Sequence, residues 1–438
     1  LFPIINWVLP IFIKRLRERI YFERCNLKDP LSNSFKKSKQ IADVTFEVSS
    51  EGELEQVQAV IDAYINQEKL VEIIYASKSV EKRCLKLAQS NPKQIRIFRL
   101  PIVTWFPIPI FGQSVINWIT SKKLIMCRYD FFPELLLFGV KKSNTFILLS
   151  ASLKSKSEKI EQGKTTYLRW LYSLFDIIVA ASPDELKRLE TLFGDKSNKN
   201  YYFFDFRVVQ ILNRLKVAKQ KIDNLPFGQK LQDVLNEFPK SHRLVLGSSW
   251  PIEMEIFKDK EFVEEIIGGK VAVVIAPHQL NDESVKHISE NIRTSSKSAL
   301  SIHIIKKDMD QQMMNSVLEK WQRERGVLIL TLPGFLCELY SFFGHAFVGG
   351  GHGRSIHSVL EPYLAKTFVY NGYKTYRSSE FDYVKRDSAE HIEVVDNLER
   401  FYQHFKKKRE MFDSNWTPNI LNIVDNRVET ILSLIMDK

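Results

Sequence analysis

Apolar residues fall along this chain in short runs separated by longer stretches of helical spacing. That is the pattern of alternating strands and helices. Residues 44–49 alternate apolar and polar side chains and read as a strand; Leu54, Val57, Val60 and Ile61 then recur at helical spacing. Strands are predicted at 71–77, 95–100, 123–127, 145–149, 175–180 and 201–204, with a helix over 80–88. Ser182-Pro183 reads as a cap followed by proline at the first helical position. A charged helical stretch at 208–240 is interrupted by Pro226 and Gly228. Strands then resume from residue 243 and at 271–276, 302–305, 327–330, 346–348 and 367–370. Residues 336–343 read as a helix and 398–438 as a helical tail. The alternation predicts an α/β fold of two Rossmann-like domains, each a parallel sheet covered by helices, facing a cleft at their C-terminal strand edges. The boundaries drawn are 1–40, an N-terminal segment and linker; 41–210, the first domain; 211–240, a helical linker; and 241–438, the second domain with its C-terminal helices.

The densest chemistry lies after the strand at 346–348. Four glycines occupy residues 349–353, and Arg354, Ser355, His357, Ser358 and Glu361 follow. Glycines let a backbone approach a ligand closely and adopt positive φ. The loop is expected to aim free N–H groups of Gly350 and Gly351 at an anion. Ser355 is read as the N-cap of a new helix, whose positive end suits a phosphate. Arg354 and His357 add donors, and Glu361, about two turns into that helix, suits a sugar diol. No Gly-Lys-Ser/Thr follows, so this is not a Walker loop. Nor is it the dinucleotide fingerprint, which belongs to the first strand–helix unit of a domain. A flexible glycine turn without a ligand is the competing reading.

Other candidates sit at predicted strand ends. Gly52-Glu53 lies at a strand–helix junction, on the edge where open α/β sheets bind ligands. Glu51 and Glu55 are ordinary partners of a helix N-terminus. Ser248 and Ser249 end the strand from residue 243, where they can cap the next helix or bind a phosphate or carboxylate. His278 ends the strand at 271–276.

These pieces, in order, resemble bacterial 3-deoxy-D-manno-octulosonic acid (Kdo) transferases. Gly349-Gly350-Gly351 through His357-Ser358-Val359-Leu360-Glu361 is similar to that family's Gly-Gly run and His-Asn-x-Leu-Glu, with Ser358 in place of Asn. Ser50-Glu51-Gly52-Glu53 resembles its Ser-x-Gly-Glu motif, whose glutamate is the family's proposed general base. Asp130-Phe131-Phe132-Pro133 resembles Glu-x-Trp-Pro on the acceptor side, and Lys154 stands near a family arginine. Asp205-Phe206-Arg207 resembles Gly-Asp/Asn-x-Lys/Arg, with Phe204 replacing the glycine. Gly247-Ser248-Ser249 and Pro277-His278 match donor-side segments. Thr331 departs from the family's usual Asp.

The resemblance implies the GT-B glycosyltransferase fold, with CMP-Kdo as donor and a lipid A precursor as acceptor. It also implies inversion at the anomeric carbon and no metal or other cofactor. Glu53 would be the base, and Asp130 and Lys154 would lie on the acceptor side. Arg207, Ser248, Ser249, His278, Gly350, Gly351, Arg354, His357, Ser358 and Glu361 would bind the donor. The substitutions leave open another nucleotide sugar, or an inactive relative that binds membrane or glycolipid.

Charge and cysteines refine this picture. The chain has 438 residues and a formal net charge of +11. Nine Lys/Arg against three acids fall within the first 40 residues, so the excess is concentrated at one end rather than spread along a nucleic-acid groove. Residues 1–13 are nearly all apolar and a basic cluster follows. The run is too short to span a bilayer, and its charge follows the apolar stretch, the reverse of a signal peptide. An interfacial anchor on an anionic membrane is expected, at the cytoplasmic face of the bacterial inner membrane; a terminal helix packed on its own domain is the alternative. Residues 28–40 read as a linker. The apolar segment 105–111 reads equally as core or as a loop entering lipid. The four cysteines are widely spaced and form no Cys-x-x-Cys pair, which argues against zinc and a disulfide framework.

Overall fold

Every strand predicted from residue 44 onward is present among the described residues. The computed structural model describes residues 14–35, 40–100, 115–128, 130–153, 162–194, 200–376 and 378–437. The chain divides into two units. One runs to Gln210 and takes in the chain from Asp425 onward; the other is Ile211–Val424.

The first unit holds β1 (Val44–Val48), β2 (Val71–Tyr75), β3 (Ile95–Arg99), β4 (Lys123–Cys127), β5 (Thr145–Ala151), β6 (Ile177–Ala180) and β7 (Asn200–Phe203). They pair in the order β3-β2-β1-β4-β5-β6-β7, all parallel. The second unit holds β8 (Arg243–Ser249), β9 (Ala272–Pro277), β10 (Ile302–Lys306), β11 (Val327–Thr331), β12 (His345–Val348), β13 (Phe368–Asn371) and β14 (Ile392–Val394). Their order is β10-β11-β9-β8-β12-β13-β14, again parallel. The sequence pattern missed β14, whose few residues are too short a run to show a period.

Helices fill the connections and cover both faces of each sheet. Most strands are therefore buried along their length, whereas the edge strands β7, β10 and β14 are partly open. Side-chain alternation splits the second unit's core in two. Leu244, Leu246, Val273, Ile275 and Phe347 pack on one face, while Val245, Val274, Leu328 and Ala346 pack on the other. Each sheet also reverses its direction of winding once, between β1 and β4 in the first and between β8 and β12 in the second. Such switch points open a crevice at the C-terminal strand ends, where open α/β sheets take ligands.

Buried charge in the first sheet is answered by partners. Glu72 on β2 pairs with Arg96 on β3, and both are sealed from solvent. Glu72 also accepts hydrogen bonds from the Thr120 N–H at 3.0 Å, the Thr120 hydroxyl at 2.8 Å and the Thr45 hydroxyl at 2.5 Å. This pair lies toward the N-terminal end of the strands, away from the ligand edge.

Two expectations about the chain ends change. Residues 29–35 are not a free linker. Ser32 is fully buried and donates to the Ile97 carbonyl at 2.5 Å, its own carbonyl accepts the Trp118 indole N–H at 2.8 Å, and Phe35 is buried. The preceding helix, Lys14–Lys28, is tied to β3 through the Asn26 amide on the Arg99 carbonyl at 3.0 Å. The C-terminal end differs too. The last helix, Val424–Asp437, packs with the first unit rather than the second. Its final carbonyls lack intrahelical partners, and the buried Lys123 ammonium supplies them, donating to Ile435 O at 2.7 Å and Met436 O at 3.0 Å. Residues 1–13, the segment 105–111 and Lys154 lie outside the described residues.

Candidate active site

The first unit's switch point is built around Glu53. β1 ends at Val48, Ser49 and Ser50 turn the chain, and the helix Glu51–Asn66 begins. Ser50 caps it, its hydroxyl accepting the Glu53 N–H at 3.3 Å. Glu53, third in the helix, reaches back so that Oε2 accepts the Ser49 N–H at 2.6 Å. Among the described residues no hydrogen bond is found to its other oxygen. Burial raises the Glu53 pKa. The Ser49 N–H opposes that rise, the Asp130 charge adds to it and the Arg128 charge offsets it. Asp130 is half-buried at the adjoining end of β4. Between them Arg128 holds φ at 62°, a strained region for a side chain of its size, and its Nε donates to Gln56 Oε1 at 3.0 Å. Glu47, two residues before Ser49, is also sealed in this corner. Arg207 opens the helix after β7, and its Nε donates to Asp205 Oδ1 at 2.9 Å.

The second unit's switch point differs in kind. Ser248, next to last in β8, holds φ at 51°, and Ser249, which ends the strand, is buried with its hydroxyl 3.5 Å from the Ala276 carbonyl. Trp250, Pro251 and Glu253 follow. Glu253 is wholly buried; Oε1 accepts the Gly350 N–H at 2.7 Å and Oε2 accepts the Trp250 N–H. Burial pushes its pKa up to about 8 in spite of those two donors. Gly349 N–H donates to Gly247 O at 2.8 Å, and Gly351 N–H to Arg354 O at 2.7 Å. The glycine loop therefore does not offer free Gly350 and Gly351 N–H groups to a ligand, because a carboxylate and a carbonyl of the chain itself take them. The glycines serve close packing instead: a Cβ at Gly349 would lie 2.1 Å from the Ser248 carbonyl oxygen, and Gly350 holds φ at 88°.

The helix after this loop is also placed differently. It spans only Leu360–Leu364, with Val359 at the cap position. Ser355 is not its cap, and Glu361 sits in its first turn rather than two turns in. The Glu361 carboxylate meets Arg214 Nη1 at 3.2 Å. Arg214 also grips the buried Glu338 through Nε and Nη2, each at 3.0 Å, and Lys221 reaches Glu338 at 2.7 Å.

Above the loop the rings form a stack. His278 and His357 lie 4.1 Å apart between centroids, and Trp250 lies 4.7 Å from His278. The exposed Arg354 guanidinium covers Trp250 at 4.3 Å. The Trp250 indole N–H donates to His357 Nε2 at 3.0 Å. Indole only donates, so Nε2 is unprotonated and His357 is neutral. Burial, with the nearby His278 and Arg354, lowers the His357 pKa to about 4, and burial lowers that of His278. Ser358 is half-buried beside the stack.

The structure thus groups His278, Arg354 and His357 as the sequence proposed, places Ser248 and Ser249 at the adjacent strand end, and sets Glu53 near Asp130. Sequence reasoning missed Trp250, the clamp made by Glu253, Glu47 and Arg214. Pro251 and Glu253 three residues after Trp250 carried a helix-start signal; Arg214 had no local signal, because its partners lie far along the chain. Among the described residues, no group of His, Cys, Asp and Glu able to hold a metal is found, and no helix is long and apolar enough to cross a membrane.

A family model described as 3-deoxy-D-manno-octulosonic-acid transferase (kdotransferase) matches residues 14–202. A search of curated proteins finds no match. UDP-GlcNAc 2-epimerase from Neisseria meningitidis, solved bound to UDP-GlcNAc, aligns over 89% of this chain and 100% of its own, at 12% identity and a TM-score of 0.54. It shares the two-sheet fold. The C-terminal CMP-Kdo binding domain of WaaA from Acinetobacter baumannii aligns over 45% of this chain and 94% of its own, at 13% identity and a TM-score of 0.33. MurG from Acinetobacter baumannii aligns over 91% and 100%, at 12% identity and a TM-score of 0.44. Over residues 14–202 the chain is similar to the 3-deoxy-D-manno-octulosonic-acid transferase family, and its two parallel sheets give it the GT-B fold of glycosyltransferases.

Proposed function

We propose that the protein transfers Kdo from CMP-Kdo to a lipid A precursor in lipopolysaccharide synthesis, with Glu53 as the general base. The supporting observation is the state of Glu53: one oxygen is fixed by the Ser49 N–H, the other is left for substrate, and burial raises its pKa. A base must reach the proton it removes and have a pKa not far below the working pH. Glu53 takes the proton of an acceptor hydroxyl as that oxygen attacks the anomeric carbon. The bond from that carbon to the CMP phosphate oxygen breaks with inversion, and CMP leaves with the electron pair.

The second unit binds the donor. Arg354 and the stack of Trp250, His278 and His357 present one cation over flat neutral rings, suited to a phosphate and a base. Ser248, Ser249 and Ser358 border that surface. Gly350 and Gly351 shape the floor rather than donate. Glu361 meets the ribose diol while Arg214 holds it. Arg207 opposes charge growing on CMP, and Asp130 and Lys154 lie on the acceptor side. The basic N-terminal segment favours an anionic membrane, at the cytoplasmic face of the inner membrane, where such an acceptor is presented.

The test is CMP release from CMP-Kdo, with and without a lipid A precursor in detergent. Acceptor-dependent release should fall by about 10²–10⁴ in Glu53→Gln. Release that persists in the variant would remove Glu53 as base. Native protein that neither binds nor turns over CMP-Kdo would exclude this donor and direct the work to other nucleotide sugars.

A further inference from the structure

Glu47 is a second carboxylate in the Glu53 corner, and no step above uses it. It lies on β1 opposite Ile74 of β2, within a strand buried on both faces. Only 1% of the residue is exposed. Its Oε1 accepts the Ser49 hydroxyl at 2.7 Å, and its Oε2 is buried with no partner of hydrogen-bond geometry.

Glu72 of the same sheet shows what an ionised buried carboxylate receives here: an arginine, two hydroxyls and a backbone N–H. Glu47 receives one hydroxyl and a weaker contribution from the Cys127 backbone, and faces two more acids. The groups that act on it are Glu53 from the helix and Asp130 and the Cys127 backbone from the end of β4; Arg128 acts on Glu53 and Cys127, Arg207 acts on Cys127, and Ile74 is its register partner on β2. Burial, then the charge of Glu53, drives the Glu47 pKa well above its ordinary value, and Ser49 and the Cys127 backbone ease it only in part. An isolated charge in such a place is costly, and a carboxyl group avoids the cost by keeping its proton.

Ser49 links the two acids. Its hydroxyl is held by Glu47 and its N–H holds Glu53, so the position of one carboxylate passes to the other through a single residue. We propose that Glu47 is a positioning residue kept as the neutral acid, which anchors Ser49 and so aims Glu53 while leaving Glu53 the ionised member of the pair. This rests on the reading of Glu53 as the base.

The experiment uses the full chain and three variants. Glu47→Gln copies the neutral acid, Glu47→Leu removes the anchor, and Ser49→Ala removes only the hydroxyl and keeps the N–H. Thermal unfolding is followed across pH, together with the pH profile of acceptor-dependent CMP release. A carboxyl whose folded pKa is raised stabilises fully below its unfolded pKa, and that contribution is lost as pH rises through the folded value. Native protein should therefore lose ground to Glu47→Gln toward alkaline pH, the gap in Tm opening by about 3 °C or more. Glu47→Gln should keep the native kcat and the native acidic limb. Glu47→Leu and Ser49→Ala should lower kcat by at least about tenfold with the donor KM unchanged.

A Tm gap that does not vary with pH would overturn the neutral acid. So would an acidic limb moved down in Glu47→Gln, which would mean that an ionised Glu47 had been raising Glu53. Native kcat in both Glu47→Leu and Ser49→Ala would overturn positioning; if Glu47→Leu does not fold, Ser49→Ala decides alone. The unfolding arm needs no substrate, so it reads Glu47 even if the native protein releases no CMP and the transferase reading itself fails.

Discussion

Glu53 and Glu253 hold the same place in their two units: each is the third residue of the helical turn that follows a strand at a switch point. Both turn back toward the strand they follow. Glu53 spends one oxygen on the Ser49 N–H. Glu253 spends both, on the Trp250 and Gly350 N–H groups, and so joins the ends of the neighbouring strands β8 and β12. The first is a carboxylate held but unfinished; the second is a fastening. A glutamate in a first helical turn is a local signal that two quite different roles share. What separates them is whether a second strand end brings another donor.

The sharpest way to break the comparison is to replace the carboxyl group at each place. Glu53→Gln should lose about 10²–10⁴ of turnover while its unfolding midpoint in urea moves little, because the amide oxygen still accepts the Ser49 N–H. Glu253→Ala should do the reverse. Two buried N–H groups would lose their acceptor, at a cost of about 2–4 kcal/mol in urea unfolding, and the donor KM should rise as the glycine loop loosens. If Glu253→Ala unfolds like the native protein but loses kcat, Glu253 is reactive and the contrast fails.

A pH series sharpens the same point. The folded pKa of Glu253, about 8, is raised, so its contribution is complete below the ordinary carboxylate range and is lost as pH rises through about 8. Glu253→Gln lacks that slope. Its deficit against native protein, measured by urea unfolding, should shrink as pH rises from the ordinary carboxylate range to about 8 and stay level above that. A deficit that grows with pH would mean that the ionised form is the one the fold prefers.

The fold was almost entirely legible in the alternation of short apolar runs and helical spacing, because parallel strands covered on both faces must be continuously apolar. What the pattern could not carry was long-range. The last helix follows the second unit in sequence but rests on the first, and its anchor is Lys123, some three hundred residues earlier. Site residues divided in the same way. Glu53, His278, Arg354 and His357 stand at strand ends and could be picked out there. Glu47 lies inside a strand, where it reads as one polar position in an alternating run. The free N–H groups expected of the glycine loop were absent because Glu253, ninety-seven residues away, accepts one of them.

The smallest effect concerns the ring stack. His357 Nε2 accepts from the Trp250 indole, so its proton must be on Nδ1 and the ring is neutral. With a folded pKa of about 4, below the ordinary histidine value, its contribution to stability is present above that ordinary value and fades as pH falls toward about 4. Nitrogen NMR at about pH 6 should show His357 as the neutral Nδ1–H tautomer. Trp250→Phe keeps a flat ring beside His278 but removes the donor. Its His357 should titrate at a higher pH, since the lone pair of Nε2 is released while burial remains. A native His357 found charged at about pH 6 would put a second cation beside Arg354. The donor-side edge would then be a charged anion trap, like the charged edge around Glu53, rather than the neutral ring platform with one cation that separates the two units.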